Sequence, residues 1–189
     1  MKFTMTPPRL GDGLAGGAIN GIINGAIAWS AFKSMPQVPL SVDSISVTGI
    51  TALGNAATVV FALTFILTTI TFFTYRSAAR KSGNAPKALI SQAYWPRGLG
   101  IAFRNTLLAF GAFIALAVLW QRFVGTMLVG PLAATVVVGL VAMGATMFAE
   151  WRTRGEMLQA AAALTTFRHA QASVPLRLVK DPSAPAILV

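Results

Sequence analysis

Four blocks of apolar residues, each about twenty residues long, divide this chain of 189 residues. They cover residues 13–32, 50–73, 105–123 and 129–149. Apolar residues run continuously through each block instead of alternating with polar ones, which predicts helices and not barrel strands. About twenty residues of helix cross the ~30 Å hydrocarbon core of a bilayer. The pattern therefore predicts an all-α membrane protein with four transmembrane helices, arranged as two antiparallel hairpins.

The composition agrees with a location in a membrane. Hydrophobic residues make up 55% of the chain and charged residues 11%, and the mean hydropathy is +0.68. A soluble domain carries about 25% charged residues. The basic start of the chain and the Ala-Ile-Ala sequence at residues 26–28 also resemble a cleavable signal peptide. Asparagines and glycines interrupt the apolar core that such a peptide needs, so we expect the first block to stay as a span.

The chain has a net charge of +10, and its basic residues are concentrated in alternate predicted loops and at the termini. Lys33 is alone in the first predicted loop and Arg122 is alone in the third, so thirteen of the fifteen basic residues lie on the other side. Basic loops stay in the cytoplasm. The charge pattern therefore predicts a multi-pass inner-membrane protein with both termini cytoplasmic. A nucleic-acid surface has no need of this alternation, so no nucleic acid partner is expected.

The chain changes character after the fourth block. Residues 1–151 form the predicted membrane domain. Residues 152–172 have a helical composition with one apolar face, which predicts a cytoplasmic amphipathic helix that either continues the fourth span or lies along the membrane. Residues 173–189 contain three prolines and are predicted to be an irregular tail. Residues 88–95 fit either a short interfacial helix or a connecting turn.

The two halves of the chain share a sequence order. Each half begins with a Pro-Arg pair, crosses outward to a tryptophan and returns to an aromatic residue followed closely by arginine. Two interpretations remain open. The halves are a parallel internal repeat, or they are unrelated hairpins that obey the same topology rules.

A regular glycine spacing marks one face of the first block. The sequence GLAGGAINGIINGAIAW places Gly13, Gly17, Gly21 and Gly25 four residues apart, which makes one smooth ridge on a helix. Helices in a bilayer associate through close contact, and glycine lets two backbones approach. These four residues, the glycine ridge, are therefore predicted to be a helix-packing site.

Two asparagines lie beside the glycine ridge, where lipid offers no hydrogen-bond partner. We expect Asn20 and Asn24 to face the second helix, on which Thr51, Asn55 and Thr58 share a face. This polar seam has two interpretations. It forms hydrogen bonds between helices, worth about 0.6–2 kcal/mol per contact, or it touches a substrate or a partner.

Residue types that carry catalysis are scarce. The chain has no cysteine and one histidine, which leaves no thiol chemistry, no metal cluster and no axial pair for haem. No acidic residue falls inside an apolar block. The sequence therefore predicts no catalytic residue, no metal, no cofactor and no enzymatic activity. Arg104 and Asn105, at the start of the third block, are predicted to contact lipid headgroups or an anion.

The sequence INGIINGAIAW at residues 19–29, followed by VPL at 38–40, resembles a loose group of small bacterial membrane proteins with four spans. The likeness covers mainly the first half of the chain. It implies a bacterial inner membrane, but no activity and no functional residue. We expect a structural, assembly or accessory role, with lipid and either a membrane-protein partner or a second copy as partners. The alternative is a small-solute transporter or channel that uses the polar seam.

Overall fold

The computed structural model describes residues 10–42, 50–81 and 94–172. Four long helices dominate this part of the chain: α1 Leu14–Phe32, α2 Ala52–Lys81, α3 Tyr94–Phe123 and α4 Pro131–Ala172. A 3-10 turn precedes α1, and two short strands lie in the connections between helices: Leu10–Gly13 for the turn, β1 Val38–Leu40 and β2 Met127–Val129. The predicted tail at 173–189 and most of the segment 88–95 lie outside the described residues.

Three of the helices are long and apolar enough to cross a membrane. They are Ala52–Ala78 in α2, Pro96–Phe123 in α3 and Pro131–Gln159 in α4. Large apolar side chains cover the outer surface of the helices, with Ile22 at 73% and Leu116 at 67% exposure. Water does not tolerate so much contiguous apolar surface, whereas lipid does. The prediction of an α-helical membrane protein is confirmed at this level.

The helices extend beyond the predicted apolar blocks. α2 continues to Lys81, α3 already begins at Tyr94, and α4 runs unbroken to Ala172. The predicted blocks end where arginines begin, but lysine and arginine are good helix formers and a helix need not stop where it leaves hydrocarbon. The segment 152–172 therefore continues the fourth helix.

The helices do not pack as two hairpins, and that part of the predicted fold is wrong. α4 lies between α1 and α2, and α3 packs on the other side of α2. The consecutive helices α1 and α2 make few contacts, and so do α3 and α4. The lateral order is α1, α4, α2, α3. In each half, the first helix packs against the second helix of the other half more extensively than against the helix that follows it in the chain.

The two short strands tie the connections together. β1 and β2 pair antiparallel, with Pro39 opposite Leu128 at the centre. The backbone N–H of Val42 also donates to the side-chain oxygen of Gln121, at 3.2 Å. Gly125, with φ +84°, turns the chain from α3 into β2 in a conformation that favours glycine. Both connections therefore lie at one end of the bundle, the sheet end.

Basic side chains collect toward the opposite end, the basic end. In the described ranges the sheet end carries Lys33 and Arg122. The other cations whose side chains the structure describes lie in the basic half of the helices: Arg76, Arg80, Lys81, Arg97, Arg104, Arg152 and Arg154. A small apolar core lies near the sheet end, where α1, β1, α2 and α4 meet: Ala28, Phe32, Val38, Ala52, Ala56, Ala134 and Val138. Charge and apolar core are thus separated along the bundle.

Candidate functional site

The glycine ridge of α1 lies along α4. Each glycine lies against two residues of α4, and these contacts shift in steps of about four: Gly13 contacts Glu150 and Met147, Gly17 contacts Met147 and Met143, Gly21 contacts Met143 and Gly139, and Gly25 contacts Gly139 and Thr135. A step up one helix is matched by a step down the other, so the two helices are antiparallel. The contact surface is therefore continuous over the length of α1.

The closest approach is between Gly21 and Gly139. A Cβ added to either glycine would lie 2.9 Å from the carbonyl oxygen of the other. Backbone atoms cannot rotate away as a side chain can. Gly139 is not among the predicted packing residues, although Thr135 and Gly139 form the same small-xxx-small spacing that marks α1.

The structure does not bring the predicted polar seam together. Asn20 and Asn24 are half-buried on α1, which packs along α4 and shares with α2 only the core at the sheet end. The Asn24 Nδ2 donates to the backbone oxygen of Asn20 at 2.9 Å, inside its own helix. Gly16, one turn before Asn20, lies beside Thr146 and Glu150 of α4. This edge of α1 therefore also borders α4.

The residues of α2 that were expected to complete the seam serve its first turn. The Oγ1 of Thr51 accepts the N–H of Gly54 at 3.2 Å, which makes Thr51 the N-cap of α2. The exposed Thr58 hydroxyl donates to the Gly54 carbonyl, and the N–H of Asn55 donates to the Thr51 carbonyl. The Thr51 and Thr58 hydroxyls are therefore bonded within α2 and need no partner on α1.

A different group of polar side chains is fully buried. Thr64 and Thr68 of α2 and Asn105 and Thr106 of α3 are each 0% exposed. Their hydroxyl oxygens, and both polar atoms of the Asn105 amide, have no hydrogen-bond partner in the structure. We call these four residues the buried polar cluster. Such groups are costly at membrane depth and are often functional.

Two contacts between α2 and α3 bring the cluster to one level. The rings of Phe61 and Phe110 meet edge to face with centroids 5.7 Å apart. Gly98 lies against the ring of Phe72. Because these contacts flank the cluster on both antiparallel helices, its two threonines on α2 lie opposite its two residues on α3.

Two buried threonines of α4 behave differently. The hydroxyl of Thr146 donates to the Ala142 carbonyl at 2.9 Å, and that of Thr153 donates to the Ala149 carbonyl at 2.6 Å. Each is satisfied by its own helix four residues earlier. The buried hydroxyl of Thr135, also on α4, has no partner and in this respect resembles the buried polar cluster.

An ion-pair group lies on the basic side of the cluster. The nearly buried Glu156 carboxylate of α4 pairs with Arg104 of α3 and with Arg152 one turn earlier on α4, at 3.3 Å from its Nε. The Arg104 side chain is 57% exposed, which leaves it within reach of headgroups. Asn105, predicted to share that role, is instead fully buried, because it faces the interior on the neighbouring side of α3.

A cleft opens between α3 and α4 next to these groups. Its volume is about 570 Å³. Its lining is nearly all apolar, with one residue from α2, five from α3 and five from α4: Val60; Leu108, Ala109, Ala112, Phe113 and Leu116; Val141, Gly144, Ala145, Phe148 and Arg152. Arg152 is the single charged residue in this lining. The cleft is therefore suited to binding an apolar ligand and not to acid–base chemistry.

Two residues of the buried polar cluster lie one helix turn from residues that line the cleft. Thr64 follows Val60 by one turn on α2, and Asn105 precedes Ala109 by one turn on α3. Residues one turn apart share a helix face. The cluster is therefore adjacent to the cleft, whose own lining ends at Arg152 of the Arg104–Glu156–Arg152 group.

Comparison with known proteins finds no matching family model, no matching curated protein and no matching solved structure. The fold and the cleft define an α-helical membrane protein with an apolar cleft, and its function is inferred from these features alone.

Proposed function

We propose that this chain is an integral protein of a bacterial inner membrane with four spans, both termini cytoplasmic, and a structural, assembly or accessory role. Three spans follow from the length and apolarity of α2, α3 and α4. α1 is proposed as the fourth. Its 19 residues rise about 28 Å, close to the ~30 Å hydrocarbon core. Its glycines and asparagines lower its hydropathy, but the glycine ridge is covered by α4.

The orientation rests on the separation of charge between the two ends. The basic end is proposed to face the cytoplasm and the sheet end the periplasm. Alkaline phosphatase, which is active only outside the cytoplasm, should be active when fused after Lys33 or Arg122. Fusions after Lys81 or Arg154 should be inactive. An active Lys81 fusion would overturn the arrangement.

The accessory role rests on the free face of α1. One side of this helix is occupied by α4, whereas Ile19, Ile22, Ile23 and Ile27 on the other side are each at least half exposed. A helix attached along one side leaves an apolar strip on which another transmembrane helix can dock. The strip therefore fits an accessory subunit better than a self-contained transporter.

A photoreactive amino acid tests that face in living cells. At Ile23 it should capture one discrete protein, either a partner or a second copy. At Ile70, an equally exposed position on α2, it should label lipid only. Identical products at the two positions would contradict the accessory role.

The buried polar cluster favours a second candidate, a channel or transporter for small polar solutes. Its hydroxyl and amide groups have no hydrogen-bond partner in the structure, so they are suited to a neutral, hydrogen-bonding solute. Proteoliposomes given an osmotic shift with glycerol or urea should then re-swell faster than empty vesicles. Asn105→Leu should abolish the difference while the protein still folds. Equal rates for the parent protein and empty vesicles would remove this candidate for these solutes.

A further inference from the structure

The cleft between α3 and α4 has the length of one membrane leaflet. Its lining on α4 runs from Val141 to Arg152, and this stretch of helix rises about 16 Å. Half of the ~30 Å hydrocarbon core is about 15 Å. Because Arg152 stands at one end, the cleft spans the leaflet on the side of the basic end.

The cleft has the apolar lining and the room that a hydrocarbon chain needs. Ten of its eleven lining residues are apolar, and its volume of about 570 Å³ is spread over about 16 Å. An extended acyl chain therefore fits along it.

The charge at the end of the cleft suits an anion. Arg104 and Arg152 share the single carboxylate of Glu156, so the three side chains together keep one positive charge. Both arginine side chains are well exposed, at 57% and 40%. Arginine binds phosphate through charge-assisted hydrogen bonds, and its stem extends along apolar surface.

From the length, the apolar lining and the charge together, we propose that this cleft is a binding site for one anionic phospholipid. One acyl chain lies along the cleft over Val60, and the phosphate lies at Arg104 and Arg152. Lipids elsewhere on the protein surface only border it, whereas this one is held on three sides by α2, α3 and α4.

The experiment uses the full chain in nanodiscs of phosphatidylcholine with a small fraction of photoreactive lipid. The probe is phosphatidylglycerol with a diazirine in one acyl chain, and phosphatidylcholine with the same diazirine is its neutral counterpart. After illumination, the labelled residues are identified by mass spectrometry. The phosphatidylglycerol probe should label residues 108–116 and 141–148, and its yield should be several times that of the neutral probe.

Two matched variants test the shape of the site. Gly144→Leu places a side chain in the cleft, whereas Gly111→Leu places one on the outer face of α3. A Cβ added at either glycine has nothing within 4 Å, so both variants should fold. Gly144→Leu should reduce labelling about tenfold, the factor given by 1.4 kcal/mol. Gly111→Leu should leave it unchanged, and thermal unfolding checks that both remain folded.

A charge variant tests the headgroup. The double change Arg104→Gln and Arg152→Gln should remove the preference for the anionic probe, and Arg122→Gln at the sheet end should preserve it. Equal labelling by the two probes in the parent protein would reduce the site to ordinary contact with bulk lipid. Equal labelling of Gly144→Leu and Gly111→Leu, or a protein adduct formed by a photoreactive amino acid at Ala112, would also overturn the proposal.

Discussion

The interface between α1 and α4 and the interface between α3 and α2 occupy equivalent positions, but they are built in opposite ways. In each, the first helix of one half packs against the second helix of the other half. At α1–α4 the backbone atoms of Gly21 and Gly139 limit how closely the two helices approach. At α3–α2 the limit is an aromatic ring, because a Cβ on Gly98 would lie 2.8 Å from two ring atoms of Phe72.

The comparison shows two ways of joining helices where the hydrophobic effect gives little help. Small residues allow close backbone contact and tolerate no addition. Aromatic residues join helices through their rings and adjust by rotation, as in the edge contact of Phe61 with Phe110. The α3 side is also where the buried polar cluster lies and, between α3 and α4, the apolar cleft. Backbone atoms therefore limit the approach of α1 to α4, whereas side chains limit the approach of α3 to α2.

The order of the main helix contacts is unchanged when the halves of the chain are exchanged. Replacing α1 by α3 and α2 by α4, and the reverse, turns the α1–α4 contact into the α3–α2 contact. The central α2–α4 contact is the same after the exchange. The sheet behaves in the same way, because its register is centred on Pro39 opposite Leu128. A parallel internal repeat would produce this order of contacts, and so would two unrelated hairpins that interleave in this way, so both interpretations of the shared sequence order stay predictions.

The largest expected effect is a side chain at the α1–α4 crossing. Gly139→Leu should cost about 3 kcal/mol or more of stability, because the new side chain meets the Gly21 carbonyl and α1 must move away. Thermal unfolding in mild detergent measures the loss. Ile22→Leu, on the exposed side of α1, should be nearly neutral. Equal melting of Gly139→Leu and the parent would remove the distinction between the two interfaces.

A smaller effect is expected at the equivalent place on α3. Gly98→Ala should cost about 1–2 kcal/mol, because the ring of Phe72 must shift. Phe72→Leu in the same chain should recover part of that cost, with a coupling of at least about 0.5 kcal/mol in a double-mutant cycle. Strictly additive effects would mean that the ring does not limit the approach.

The smallest expected effect is at the aromatic pair. Phe61→Leu should cost about 0.5–1.5 kcal/mol beyond its lost area, because the edge contact with Phe110 is removed. A double-mutant cycle with Phe110→Leu isolates that term. Ile66→Leu, on the exposed side of α2, is the matched control. A coupling of zero would leave apolar area alone to hold α2 and α3 together.

The sequence predicted the helices well because each one satisfies its own backbone and needs only a local run of suitable residues. It predicted the ends less well. Arg76 and Arg80 suggest the end of a helix, although they only mark where α2 leaves the apolar region. The strands β1 and β2 were not predicted because a strand of three residues is too short to show an alternating pattern, and β1 also contains a proline. Each strand forms only because it pairs with the other.

For the candidate site, the sequence identified residues by their spacing or polarity, but it did not identify the residues that they contact. The spacing of four from Gly13 to Gly25 is local information, and it is enough to mark one face of α1 for packing. That this face meets Gly139, more than a hundred residues away, could not be read from α1 itself. The same holds for Asn105, whose position in the sequence indicates the membrane surface but whose side chain is fully buried.

The sequence by itself determined that this is a helical membrane protein, where most of its helices run, and which end carries the charge, because these properties depend on residues close together in the chain. Only the tertiary structure decided the order α1, α4, α2, α3, the reciprocal contact of Gly21 with Gly139, and the cleft between α3 and α4. In a bilayer every apolar helix face is solvated equally well by lipid, so hydropathy does not determine which helices pack together. The choice is made by shape, where two surfaces distant in sequence fit closely enough to exclude lipid.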